Sequence, residues 1–171
     1  MVAAQHFRTK IILTLTSVAF VFLVGPQFAA AQTVETFTTP GTNTWTAPAG
    51  VFSVIVECWG AGGGGGGDGD TAGAGGGGGG GGAYARSVVS VTPSTGYSYT
   101  VAAATAPAGN GVDGSSGADS SFNITSCVAD GGSGGLGDLN IGGAGGTTAN
   151  STGNVVEYAG GDGATGPPAS Q

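Results

Sequence analysis

The chain has 171 residues, 39 of them glycine, and ten acidic side chains against three basic ones, for a formal charge of −7. So acidic a chain lacks the basic patches that nucleic acid or an anionic membrane surface requires. Its length suits one domain and its glycine content borders on low complexity, yet Val, Ile, Trp, Tyr and Phe cluster in short runs beside the glycine tracts, so a small folded core is expected.

Arg8 and Lys10 precede the apolar stretch Ile11–Val24, and Ala29-Ala30-Ala31 supplies the small residues a signal peptidase needs. Residues 1–31 therefore read as a secretory signal peptide, too short to span about 30 Å of hydrocarbon comfortably; an uncleaved anchor is the alternative. No cysteine follows the small residues, so a lipid anchor is not expected. Cleavage would leave Gln32–Gln171, a secreted chain with Arg86 as its one base, no Lys, no His and no second membrane segment.

Thr33–Thr39 has the β-branched and aromatic content of a strand, Pro40-Gly41 is a turn signal, and Thr42–Thr46 resumes with Trp45. Pro48-Ala-Gly50 marks another turn before Val51–Trp59, the strongest strand. There Phe52, Val54, Val56 and Cys58 share a wholly apolar face, expected to be core, while Glu57 and Trp59 lie on the other. A glycine-rich insertion, 60–82, follows with the runs Gly62–Gly67 and Gly75–Gly82. Ala83–Thr92 reads as a strand, Pro93–Gly96 as a turn, and Tyr97–Val101 as a strand closing a hairpin. Ala106–Gly117 reads as a loop and Ser120–Ala129 as the last core strand. From Asp130 the chain is glycine-rich again, with Asn154–Tyr158 a short apolar island.

These elements predict an all-β fold, an antiparallel β-sandwich over residues 32–130, and a glycine-rich segment, 131–171, packing on it or partly disordered. The glycine tracts admit two descriptions. A loose linker of eight glycines averages roughly 16 Å end to end; a polyglycine helix of the polyproline II type reaches about 25 Å. Ordering glycine costs roughly 1–2 kcal/mol per residue, so a lone tract stays loose. Tracts laid side by side can exchange N–H to C=O bonds at an approach only glycine permits. Gly62–Gly67, Gly75–Gly82, Gly131–Gly137, Gly142–Gly146 and Gly160–Gly163 are candidates for that packed arrangement, which is the expected one.

Cys58 and Cys127 form an even pair in an exported chain, which favours a disulfide stabilising the fold by about 4 kcal/mol on the chain-entropy model. Two buried free thiols are the alternative. Two cysteines without histidine do not suggest a metal site.

Thr36-Phe-Thr-Thr-Pro-Gly41, Trp45-Thr-Ala-Pro-Ala-Gly50 and Val54-Ile-Val-Glu-Cys-Trp-Gly-Ala-Gly-Gly63 resemble a glycine-rich domain family of bacterial secreted proteins and phage tail-fibre or adhesin-tip proteins. Gly82-Ala-Tyr-Ala-Arg86, Val91-Thr-Pro93, Tyr97-Ser-Tyr-Thr-Val101 and Gly117-Ala-Asp-Ser-Ser-Phe122 continue the resemblance, which covers Val34 to Gly146. More distantly, the layout resembles the glycine-rich extracellular region of anaplastic-lymphoma-type receptor kinases. That implies a jelly-roll-like sandwich carrying packed polyglycine II-type segments. Two features depart from the family pattern: a cysteine at position 58, where a small or hydrophobic residue is usual, and an end at Gln171 where further glycine tracts are usual. The resemblance carries over no catalytic residue.

Gly66-Gly-Asp-Gly-Asp70 and its echoes near Asp138 and Asp162 resemble calcium nonapeptides, but with the aspartate misplaced and without tandem repetition. Calcium held by Asp68 and Asp70 is therefore the weaker expectation, and solvated carboxylates that keep the tracts soluble the stronger. Phosphate cradling by glycine loops needs a helix start and usually a lysine, both missing. Acid–base catalysis would fall to carboxylates such as Glu35, Glu57 and Glu157, or to tyrosine, so no enzyme and no cofactor are expected. Asn123-Ile-Thr125 and Asn150-Ser-Thr152 fit a glycosylation sequon, which in a bacterium is usually accidental.

Most of the aromatic residues are needed for the core, but Trp59 lies opposite the Phe52 face, and with Tyr84 it is the candidate ligand contact. The expectation is thus a secreted, non-enzymatic structural or adhesive module touching an extracellular glycan, a cell surface or a matrix, alone or as a homo-oligomer or larger assembly. A carbohydrate- or receptor-binding sandwich is the second reading. Ice binding through the Thr36/Thr38 and Thr42/Thr44/Thr46 ladders is a distant third.

Overall fold

The computed structural model describes residues 32–69 and 75–167; the expected signal peptide and Asp70 lie outside them. The described residues from Phe37 onward belong to one compact unit. Among the described residues the seven strands are β1 (Gly41–Thr46), β2 (Ser53–Trp59), β3 (Tyr84–Ser90), β4 (Gly96–Val101), β5 (Ser120–Phe122), β6 (Cys127–Ala129) and β7 (Val156–Tyr158). They form two antiparallel sheets, ordered β1-β4-β5-β6 and β2-β3-β7, packed face to face as a β-sandwich.

Alternation decides which side chains enter the core. Val54, Val56 and Cys58 of β2 and Ala85 and Val89 of β3 turn inward, against Phe122, Cys127 and Ala129 of the other sheet. The bulk comes from one side: Trp45, Tyr97 and Phe122 form an aromatic cluster with centroids 5.9 to 6.3 Å apart. The opposing sheet answers with small residues. Buried Ser87 is satisfied there because its Oγ accepts the Asn154 N–H at 3.2 Å.

Four expectations change. Thr33–Thr39 forms no strand. Phe52 precedes β2 and is 69% exposed, so the apolar face begins at Val54. Tyr97–Val101 does not close a hairpin with β3; the turn at 93–95, with Ser94 at φ 59°, carries the chain across to pair with β1 and β5. Ser120–Ala129 is two strands, because Asn123 and Ile124 adopt left-handed φ of 49° and 63° and fold β5 onto β6.

The glycine-rich segments are ordered as six tracts: 60–69, 75–83, 108–118, 130–138, 140–146 and 160–167, here tracts one to six. In tract one, the Gly60, Gly63 and Gly66 N–H groups donate to Ala83, Gly80 and Gly77 carbonyls of tract two at 2.8–2.9 Å. The next residues along, Ala61, Gly64 and Gly67, donate to Ala118, Ser115 and Val112 at 2.8–3.1 Å. Each neighbour is met every third residue. The same spacing joins tract two to six (Gly75, Gly78 and Gly81 to Pro167, Ala164 and Gly161) and tract two to four (Gly77, Gly80 and Ala83 to Leu136, Ser133 and Asp130). Tracing all such bonds places tracts one, two and six in one layer over tracts three, four and five.

That packing is why glycine is there. A Cβ on Gly77 would sit 1.8 Å from Ile141 O, and one on Gly79 2.0 Å from Gly63 O. On the outer side the restriction lifts: a Cβ on Gly65 would meet nothing closer than 3.6 Å, and one on Gly161 nothing within 4 Å. The sandwich holds the tract ends, since β2 runs into tract one, tract two into β3, and β6 into tract four.

Candidate functional site

The outer face of β2-β3-β7 carries a continuous row of aromatic side chains whose ends, Trp59 and Tyr158, lie largely in solvent and whose middle ring, Tyr84, is partly buried between them. Cross-strand register puts Trp59 opposite Tyr84 and Tyr84 opposite Tyr158. Ring centroids lie 5.3 Å apart for Trp59–Tyr84, tilted by 55°, and 5.9 Å for Tyr84–Tyr158, nearly stacked at 23°. Trp59 is 61% and Tyr158 63% exposed. Trp59 and Tyr84 thus come together as expected. Tyr158 joins them from a three-residue strand that sequence alone reads only as an apolar island.

Glu57 and Arg86 form the next cross-strand pair on that face, with Arg86 Nε 3.5 Å from Glu57 Oε1. This is an ion pair whose geometry falls short of a hydrogen bond. Being half in water, it adds little stability but orients both side chains. Desolvation, then the Glu57 carboxylate, raise the Tyr84 phenol above its usual pKa, so it keeps its proton as a donor. Ile55 and Val88 extend the face further along the same strands.

Beyond Trp59, on the free edge of β2, lies an open groove of about 420 Å³. The Gly60–Gly63 backbone forms one side, and Ala102, Ala104 and Thr105 the other. Thr105 Oγ1 donates to Gly62 O at 2.8 Å, and Ser120 Oγ accepts from Ala102 N at 3.1 Å. These bonds leave the Thr105 oxygen free to accept and the Ser120 hydroxyl free to donate.

The expected disulfide is not formed: Cys58 and Cys127 are buried free thiols. They stand on facing sheets and spend their sulfurs on backbone carbonyls, Cys127 Sγ 3.4 Å from Ala85 O and Cys58 Sγ 3.7 Å from Cys127 O. The hydrogen bond to Cys127, then burial, push the Cys58 thiol far above its usual range, so it is a poor nucleophile.

The acidic residues of the tracts are not merely solvated. Asp113 Oδ1 accepts the Gly137 N–H at 2.8 Å, Asp119 Oδ1 that of Gly131 at 3.0 Å, and Asp162 Oδ1 that of Gly145 at 2.9 Å. Asp130 Oδ2 takes the Thr147 N–H, the Thr147 hydroxyl and the Asn150 amide at 2.8 to 3.2 Å. Carboxylates thus serve tract N–H groups where no backbone carbonyl does. Among the described residues no group of three acidic, His or Cys side chains is placed to hold a metal ion.

No curated protein matches this chain. The family model of the glycine-rich domain matches residues 38–171, and the chain belongs to that family.

Proposed function

We propose that this protein is an exported, non-enzymatic structural or adhesive module that presents a rigid contact face. The observation that carries the reading is the Trp59–Tyr84–Tyr158 row, exposed at both ends, on a sheet whose strands run directly into hydrogen-bonded tracts. We read the tracts as polyglycine II helices, because a three-residue repeat of donors is what a helix of three residues per turn delivers to neighbours on each side. Rigidity matters for contact, since a preordered face loses little entropy on binding. Residues 32–171 contain no Lys and no His, which leaves little for acid–base chemistry. The N-terminal signal pattern supports export.

Two measurements test this reading. Amide exchange should show Gly77 and Gly80 protected as well as the strand amides, and fast exchange there would reduce the tracts to tethers. Retention of the purified protein on cell-wall or matrix preparations should fall on Trp59→Ala without loss of folding; undiminished retention would remove the aromatic face from the function.

A further inference from the structure

We infer that the aromatic row and the groove beside Trp59 form one continuous binding track for an uncharged polysaccharide chain. This rests on the reading of the β2-β3-β7 face as the contact surface, and it names what that surface takes.

Three observations lead there. First, the row and the groove share a residue. Tyr158, Tyr84 and Trp59 follow one another across β7, β3 and β2, and Trp59 also lines the groove at the free β2 edge. A linear ligand can therefore run from one into the other without a step. Second, the row is spaced by 5.3 and 5.9 Å between centroids, close to the repeat of pyranose rings in an extended glycan. Sugar faces rich in C–H bonds stack on such rings, and the 55° tilt of Trp59 against Tyr84 suits a twisted chain better than a flat crystal surface. Third, the polar groups along the track are those that serve hydroxyls: the Tyr84 phenol beside Glu57, the Thr105 oxygen and the Ser120 hydroxyl.

Charge selects among glycans. The chain sets ten acidic residues against three basic ones, and Arg86, the base on this face, is already paired with Glu57. An acidic polysaccharide would meet repulsion and no free cation. A peptide helix would need deep apolar sockets, whereas this track is shallow and its groove side is glycine backbone. An uncharged glycan fits both restrictions.

The test uses the purified protein with β-1,4-linked glucose and N-acetylglucosamine oligomers of increasing length, alginate as the acidic control, and calorimetry or fluorescence of the tryptophans as readout. Affinity should rise with length and level once the row and the groove are both filled, and alginate should not bind. Trp59→Ala should weaken binding more than about tenfold and Tyr158→Ala less. Both residues are exposed, so their loss should leave the melting temperature unchanged. Ala104→Trp fills the groove but not the row, and should abolish the gain with length while short oligomers still bind. Failure of every neutral oligomer, tighter binding of alginate, or equal binding by the Trp59→Ala protein would each overturn the inference. If Trp59→Ala abolishes surface retention while no neutral oligomer binds, the contact face survives and its polysaccharide ligand does not. Retention that depends on Trp59 and is competed by a peptide instead would likewise overturn the glycan assignment alone.

Discussion

The sandwich and the tracts solve the same problem with opposite means. In the sandwich, side chains alternate with period two, and stability comes from apolar area: Phe122 packs on Tyr97 and Trp45, and Val54 and Val56 face Cys127 and Ala129. In the tracts, period three rules and side chains are excluded wherever two backbones meet. Each ordered glycine costs roughly 1–2 kcal/mol of conformational entropy, while a hydrogen bond returns a net 0.5–1.5 kcal/mol or so. The tracts therefore hold together only because the strands fix their ends. The difference predicts which substitutions each region tolerates, and the two patterns should be almost complementary.

The largest expected effect is in the sandwich. Phe122→Ala removes the ring that touches both Trp45 and Tyr97, and should cost about 3–5 kcal/mol in urea unfolding. If tract order depends on the sandwich, amide protection at Gly77 and Gly80 should fall in the same variant. Protection that outlasts the sandwich would show tracts that stand alone.

The sharper contrast lies within the tracts. Gly77→Ala adds a methyl 1.8 Å from Ile141 O, a backbone atom that cannot swing aside. It should destabilise by about 3 kcal/mol, as overpacked cores do. Gly161→Ala meets nothing within 4 Å and has no left-handed φ, so it should be neutral or stabilise by about 0.5 kcal/mol through the unfolded state. Equal melting temperatures for these two variants would contradict the close packing.

Much of this was written in the sequence at the level of periods. Alternation in Val54–Trp59 places Trp59 outside and Cys58 inside; β-branched residues mark β2 and β3, and alternating tyrosines mark β4. Sheet membership was not legible, because the Pro93–Gly96 turn has the composition of a hairpin whether or not its strands pair. The β5–β6 turn carries no sequence signal, since Ile124 is a residue rarely found at positive φ. Tract three is not legible in the sequence for a different reason. It has Gly111, Gly114 and Gly117 at every third place and, besides these, Gly109 alone, and it reads as loop by density although its spacing matches its neighbours. The cause is position: tract three lies at the rim, bonded among the described residues to tracts one and four, so most of its positions between the every-third glycines can carry side chains. Tract two, bonded to one, four, five and six, keeps glycine throughout 75–82. Tyr158 could not be assigned to the aromatic row from sequence, because strand pairing across so long a separation leaves no local signal.

The aspartates at the tract edges test whether side chains replace backbone acceptors there. Asp113→Ala leaves the Gly137 N–H without its 2.8 Å partner, in a half-buried position. The expected cost is about 1 kcal/mol, with faster exchange at Gly137 and partial rescue by Asp113→Asn, whose oxygen still accepts.

The smallest effect concerns pH. Burial alone would raise the Asp130 carboxyl, but hydrogen bonds from the Thr147 N–H, the Asn150 amide and the Thr147 hydroxyl outweigh it and hold the group below its ordinary value. A carboxyl whose folded pKa is depressed adds stability above its unfolded pKa and loses it as pH falls through the folded value. The window therefore opens below about pH 4. Because the site is largely in water, the contribution should stay under about 1 kcal/mol. The informative quantity is the difference between the wild-type protein and Asp130→Asn. That difference should shrink steadily as the pH falls below about 4. A constant gap would mean that Asp130 acts through its shape as an acceptor and not through its charge.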